Sequence, residues 1–218
     1  MRSKNGAAGR VSFIQAARRR QIIAAAISTV TAVGYGQASL ARIADEAQIS
    51  KSVISYHFAN KDALLEQVVH QVVDDWSRYL RPFLDAETTA GGRLAAYIRS
   101  RLAYMRDNHS QLVAVAEIVV NHRGPDGKPV FAEQDAMPVA ELLAILREGR
   151  RAGKFREFDP VVLAMTITQG IDGALTYWAE HPGTDLTAYG EELVTLFRLA
   201  TQNTATQNTA TQKKERRT

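Results

Sequence analysis

SLARIADEAQISKSVISYHFANK, residues 39–61, decides how this 218-residue chain is read. The stretch resolves into two short helices joined by a tight turn, followed by a third helix that starts at Lys61. Ser39 is placed to cap the helix Leu40–Ala47, because its hydroxyl can accept from an N–H that the helix leaves unpaired. Ile43 and Ala44 point inward, and the small Ala44 lets the next helix cross closely. Gln48 and Ile49 make the turn, with Ile49 as its buried plug. Ser50 caps the second helix, Lys51 to about His57, which Val53, Ile54 and Phe58 hold against the rest. Lys51, Ser52, Ser55, Tyr56 and His57 are then left at or near the outer surface. Donor-rich side chains on so short a helix suit insertion of its N-terminal half into a DNA major groove. A plain helical hairpin with a polar outer face is the competing reading of the same spacing.

Asn60 caps the next helix, and Lys61 falls in its first turn. Lysine is unfavourable beside the positive end of a helix. A phosphate bound there would explain the placement, since that end also offers free N–H groups. Upstream, Ile22, Ile23, Ala26, Ile27 and Val30 recur at helical spacing in a helix from about Phe13 to Val33, closed by Gly34. Downstream, Leu64, Leu65, Val68, Val69, Val72, Val73 and Trp76 form the apolar face of a long helix to about Leu84. Further helices are expected at roughly 92–107, 110–121, 131–151, 160–181 and 186–200. No segment alternates convincingly with the period of a strand, so the chain is expected to be all-α. The expected organisation is a flexible arm (1–12), a helix-turn-helix domain (13–60), a larger helical bundle (61–200) and a disordered tail (201–218). That tail repeats TQNTA and has too few apolar groups to offset its ordering entropy.

Charge follows the same division. Residues 1–70 hold nine Lys/Arg against four Asp/Glu, residues 71–212 fourteen against eighteen, and residues 213–218 four against one. Positive charge thus accompanies the helix-turn-helix, where phosphate attraction needs it. Arg18-Arg19-Arg20 reads either as a phosphate contact or as a solvated helix start. The arm residues Arg2, Lys4 and Arg10 read as a minor-groove probe or a loose terminus. No run approaches the roughly 18 apolar residues of a membrane span. The first apolar stretch, Ile22 to Val33, lies behind a basic helix, so neither a cleaved leader nor a membrane partner is expected. The absence of cysteine excludes disulfides and fits a reducing cytoplasm.

The order of helices, with Ile43-Ala44-Asp45-Glu46-Ala47, Ile49-Ser50-Lys51, Ile54, Tyr56-His57-Phe58 and Lys61-Asp62-Ala63-Leu64-Leu65, closely resembles the tetracycline-repressor (TetR) family of bacterial regulators. The likeness covers residues 20–70. It implies an all-helical homodimer in which the three N-terminal helices of each copy sit on a palindromic DNA operator. By motif position it places Ser39, Tyr56, His57 and Lys61 on phosphates, and Arg42, Lys51, Ser52 and Ser55 over or near the bases. Three positions depart from the family pattern. Gln48 stands where glycine is usual, so a left-handed backbone there costs roughly 1 kcal/mol. Ser52 stands where glycine is often found, and Ser55 where tyrosine is.

The rest of the chain carries no catalytic constellation: no G-x-S-x-G, no HExxH, no glycine-rich phosphate loop. His70, His109, His122 and His181 lack metal-ligand spacing. Neither an enzyme nor a metal or cofactor site is expected. Leu112–Val120 is apolar all round except for Glu117, a carboxylate that must face solvent, pair with an arginine such as Arg101, or line a pocket. On Val161–Trp178, Met165, Thr168, Gln169, Asp172 and Thr176 form a polar-tinged stripe, with Gly170 and Gly173 nearby to permit close helix approach. Candidate residues for an unidentified small-molecule effector are Tyr97, Arg101, Tyr104, Met105, Glu117, Met165, Gln169 and Asp172. The family likeness also implies that the last two helices pair across the dimer. Leu175, Tyr177, Trp178, Leu193, Leu196, Phe197 and Ala200 are the candidates for that seam. The expectation is a regulator released from DNA by an effector; a DNA-binding regulator without a ligand is the alternative.

Overall fold

A computed structural model describes residues 4–131 and 137–203; the side chains of residues 4–12, 137, 138 and 175 fall outside that description. The described residues form α1 (Lys4–Gln37), α2 (Leu40–Glu46), α3 (Lys51–His57), α4 (Lys61–Asp85), α5 (Ala90–Asp107), α6 (His109–Asn121), α7 (Met137–Arg151), α8 (Pro160–Glu180) and α9 (Leu186–Thr201). Their only extended pairings are two isolated bridges, Arg123 with Pro129 and Phe155 with Gln202. The chain is all-α, as its periodicity implied. Three expectations reach past the described residues: the start of the arm (1–3), residues 132–136 of the helix expected at roughly 131–151, and the tail beyond Asn203. Among the described residues, no helix is long and apolar enough to cross a membrane.

The chain divides into two compact units, Met1–Asp74 with Asn108–Ala132, and Asp75–Asp107 with Glu133–Thr218. The first unit is built on the apolar stripe of α1. Ile22, Ile23, Ala26 and Val30 are at most 2 % exposed and meet Ile43 of α2, Ile54 of α3, and Leu64, Leu65 and Val68 of α4. α6 packs on α1 and adds Ala114 and Ile118 to the same core. The stretch expected to belong wholly to the C-terminal bundle therefore supplies part of the N-terminal core. Gly34 adopts φ 78° and kinks α1, and the chain makes one more helical turn to Gln37 before Ala38 donates its N–H to the Gly34 carbonyl (3.2 Å).

The second unit takes the end of α4, with Trp76, Leu80 and Leu84 one turn apart, and packs α5 against α7, α8 and α9. Leu94, Ile98, Leu102 and Met105 form the inward stripe of α5. Close helix approach falls at Gly190, where an added Cβ would lie 3.0 Å from Leu102. It does not fall at the expected Gly170 and Gly173: Leu193 lies an ordinary 3.7 Å from a Cβ at Gly170, and Gly173 faces open space.

Ile54→Ala is expected to cost about 2–5 kcal/mol, because it removes a fully buried side chain from the first core. The exposed Val120→Ala should stay within about 0.5 kcal/mol. Chemical denaturation measures both, and equal losses would contradict this assignment of the core.

Candidate nucleic-acid interface

The turn between α2 and α3 is fixed by backbone geometry. Gln48 is the one non-glycine residue with positive φ among the described residues, at 53°. The Ile49 N–H reaches back to the Ala44 carbonyl (3.0 Å), and the Gln48 N–H to that of Asp45 (3.0 Å). This pair of bonds is the Schellman helix ending, and it needs the left-handed conformation at the position glycine usually fills. The Ser39 hydroxyl accepts from the Arg42 N–H (3.3 Å), and the Asn60 side chain from the Ala63 N–H (2.8 Å), as their positions implied. Ser50 departs from its expected capping bond: its hydroxyl pairs with that of Ser52 (2.8 Å). Gln21 of α1 donates to the Ala47 carbonyl (2.8 Å), and Ser28 to Glu46 (2.7 Å), holding α2 in place from one side.

One face of this assembly stays open. Ser39, Arg42, Lys51, Ser52 and Ser55 are exposed, and Arg42 and Lys51 make no ion pair among the described residues. Tyr56 is 72 % exposed, its hydroxyl accepting from Gln15 (3.3 Å) and its ring meeting His57 edge-on at 5.0 Å. His57 is half-buried.

Two cations expected at the surface turn inward. Lys61 donates to the Tyr35 carbonyl (2.7 Å) and lies 4.5 Å over the Tyr35 ring. Burial lowers its pKa, partly offset by neighbouring Asp62. Arg19 donates to the His57 carbonyl (2.9 Å) and to Gln67 (3.2 Å), and stacks 4.4 Å over Phe58. It is therefore a brace between α1, α3 and α4, which corrects both expectations for that arginine. A signal existed: Arg19 precedes Ile23 by one turn, on the apolar stripe.

Residues 22–68 match the family described as bacterial regulatory proteins, tetR family. This match places the N-terminal region of the chain in that family. It is 39 % identical over 89 residues to the HTH-type transcriptional regulator BetI of Cronobacter sakazakii, a match spanning 39 % of this chain and 43 % of BetI. It is 26 % identical over 166 residues to RutR of Escherichia coli K12, covering 73 % of this chain and 74 % of RutR. The fold is shared with FadR of Bacillus subtilis, solved in complex with stearoyl-CoA: TM-score 0.73, 23 % identity, covering 81 % of this chain and 96 % of FadR. The chain thus spans under half the length of BetI and about three quarters of RutR.

The candidate ligand residues do not form one group. Glu117 belongs to the first unit, where its carboxylate accepts from the Tyr35 N–H (3.4 Å) and from Asn121 (3.5 Å). Its partners are thus a backbone amide and an asparagine side chain; Arg101 instead pairs with Asp172 (3.5 Å) and stacks 5.2 Å over Trp76. Tyr97, Tyr104 and Met105 are core residues at 2 %, 4 % and 1 % exposure. Trp76 contacts both Tyr97 and Tyr104, and burial pushes the Tyr104 phenol up to about 12. Met165 and Gln169 point outward on α8.

The seam candidates also separate. Tyr177 and Leu196 are exposed, Trp178, Leu193 and Ala200 are half-buried, and the Leu175 side chain lies outside the described residues. Phe197 is 4 % exposed and packs inside its own unit, facing inward with Leu186, Gly190 and Thr201. Val161, Val162 and Leu199 are exposed and were missed, although Leu196 and Leu199 stand three apart on one helical face.

The partners of one buried histidine were not legible in the sequence. His122, 2 % exposed, is hydrogen-bonded through Nδ1 to the Tyr35 hydroxyl (2.9 Å) and through Nε2 to Glu66 (3.3 Å). Together with Glu117 and Lys61 it pins the end of α1 to α4 and α6.

Gln48→Gly is expected to stabilise the chain by about 1 kcal/mol, since glycine adopts this φ without a steric cost. The thermal midpoint should rise; a fall would contradict the left-handed turn.

Proposed function

We propose that the chain is a sequence-specific DNA-binding transcriptional regulator that acts as a homodimer on a palindromic operator and is released by a small-molecule effector. The observation that carries this is α3: a short helix, anchored from behind, that presents Lys51, Ser52, Ser55 and Tyr56 outward. Lys51, Ser52 and Ser55, with Arg42, would read base edges. Ser39, Tyr56 and His57 would contact phosphates, and Lys61 would add long-range attraction from its partly buried position. Phosphate contacts set register, and base contacts set sequence.

The outer faces of α8 and α9 support a homodimer. Val162 (63 %), Met165 (46 %), Leu196 (57 %) and Leu199 (61 %) are large apolar side chains left open within the chain. Two such helix pairs, one from each copy, would close a four-helix seam. Gly173, facing open space on α8, leaves room for a partner helix to come near. A dimer must hold its two α3 helices roughly 34–36 Å apart to enter successive major grooves. An effector that favours any other spacing releases DNA, and tenfold release needs only about 1.4 kcal/mol of differential binding. The shared fold with FadR, which was solved holding stearoyl-CoA, favours the ligand-responsive reading over a ligand-free regulator.

Leu196→Glu with Leu199→Glu is expected to turn the dimer into a monomer in sedimentation, keep the helical circular dichroism, and weaken retention on operator DNA at least tenfold. A variant that stays dimeric would overturn the seam, and wild-type protein that retains no DNA from its own gene region at moderate salt would overturn the regulator.

A further inference from the structure

We propose that the second unit holds a binding site for an amphipathic organic anion, where α5 begins and α7 and α9 end. A cavity of about 710 Å³ opens there, within the range of small-molecule sites. None of the candidate ligand residues named from the sequence lines it. Its floor is apolar: Leu94, Ile145 and Phe155 are each at most 5 % exposed. Gly149 makes that floor possible. A Cβ there would collide with the Phe155 ring and come within 2.9 Å of the Ala90 Cβ. The loop after α7 is held in shape by backbone bonds, Lys154 N–H to the Gly149 carbonyl (2.9 Å) and Arg156 N–H to the Thr201 carbonyl (3.0 Å). These bonds fix the backbone on the side of the cavity that the ends of α7 and α9 supply.

The charges around it decide the class of ligand. Arg93 is spent on Glu148, at 2.8 Å. Lys154 and Arg198 also line the cavity, and neither makes an ion pair among the described residues. Glu87 is the remaining acid in the lining. An apolar floor beneath two uncommitted cations suits a molecule with a hydrocarbon body and an anionic head: the body removes apolar surface from water, and the head completes charge-assisted hydrogen bonds. An organic cation would leave Lys154 and Arg198 uncompensated. The chain's own residues 204–218 follow the cavity-lining Gln202 in sequence, but they carry Lys213, Lys214, Arg216 and Arg217 against Glu215 alone. They repeat the sign of the rim and are poor occupants of it. That this site serves as the effector site rests on the regulator proposed above; that it binds the anion does not.

Calorimetric titration of the full chain with decanoate and with decyltrimethylammonium tests the site. Decanoate is expected to bind one per chain and at least tenfold tighter than the ammonium compound. Lys154→Gln with Arg198→Gln, both exposed and expected to fold, should weaken decanoate about tenfold. Ala95→Trp should abolish binding by filling the cavity; if that variant unfolds, the charge variant decides alone. Removing residues 204–218 should leave the affinity unchanged. No decanoate binding, equal binding of the ammonium compound, unchanged affinity in the charge variant, or a tenfold gain on removing the tail would each overturn the proposal. DNA retention measured in parallel separates the two readings. Retained DNA without decanoate binding overturns this site alone, and decanoate binding without DNA retention overturns the regulator alone.

Discussion

A helix of seven residues cannot hold its own shape in water, where isolated helices shorter than about 12–15 residues are marginal. α3 is such a helix, and most of the first unit exists to hold it. Ile54 and Phe58 anchor its inner side at 0 % and 4 % exposure. The left-handed Gln48 sets its entrance, and Arg19 satisfies the His57 carbonyl at its exit. Each end of α3 is thus tied by a contact from outside the helix. The outer face is relieved of structural duty and keeps Lys51, Ser52 and Ser55 for recognition.

The same economy governs charge. Unit 1 is basic, yet its cations divide into two kinds. Arg19 and Lys61 lie over aromatic rings and donate to carbonyls at the ends of α3 and α1. Arg42 and Lys51 stand in solvent without ion pairs among the described residues. Braced cations fix the frame, while uncommitted ones remain available to an anion. The end of α1 is a junction: Lys61 holds the Tyr35 carbonyl, Glu117 its N–H and His122 its hydroxyl. Elements from three parts of the sequence meet at that one residue, so a shift of α6 or α4 would be felt at the frame that supports α3.

Local chemistry was legible in the sequence. Ser39, Asn60 and Gln48 act on neighbours a few residues away, and capping and turn rules describe such contacts directly; the inward faces of Ile43 and Ile54 followed from helical period, though not the residues they meet. Contacts across the sequence were not legible. Glu117 takes one of its partners 82 residues away, and that partner is a backbone amide no side-chain pattern reveals. The stripe from Met165 to Thr176 was found by its period, but period alone does not say which side faces the core; Met165, Gln169 and Thr176 face out. Phe197 was named for the dimer seam with Leu193, Leu196 and Ala200, as the family likeness implied, although Leu186, Gly190 and Thr201 place it on the inward stripe of α9. The cavity was invisible because three distant segments, 87–95, 145–155 and 194–202, build it jointly.

The central claim is that α3 reads DNA as one of a symmetric pair. Selection of bound duplexes from a randomised library by the full chain, run beside Lys51→Ala, tests this most directly. The account predicts a palindromic consensus whose half-sites repeat at about one helical turn, roughly 10 base pairs, and a changed base preference within each half-site for the variant. Recovery of unrelated sequences, or an identical consensus for both proteins, would contradict it.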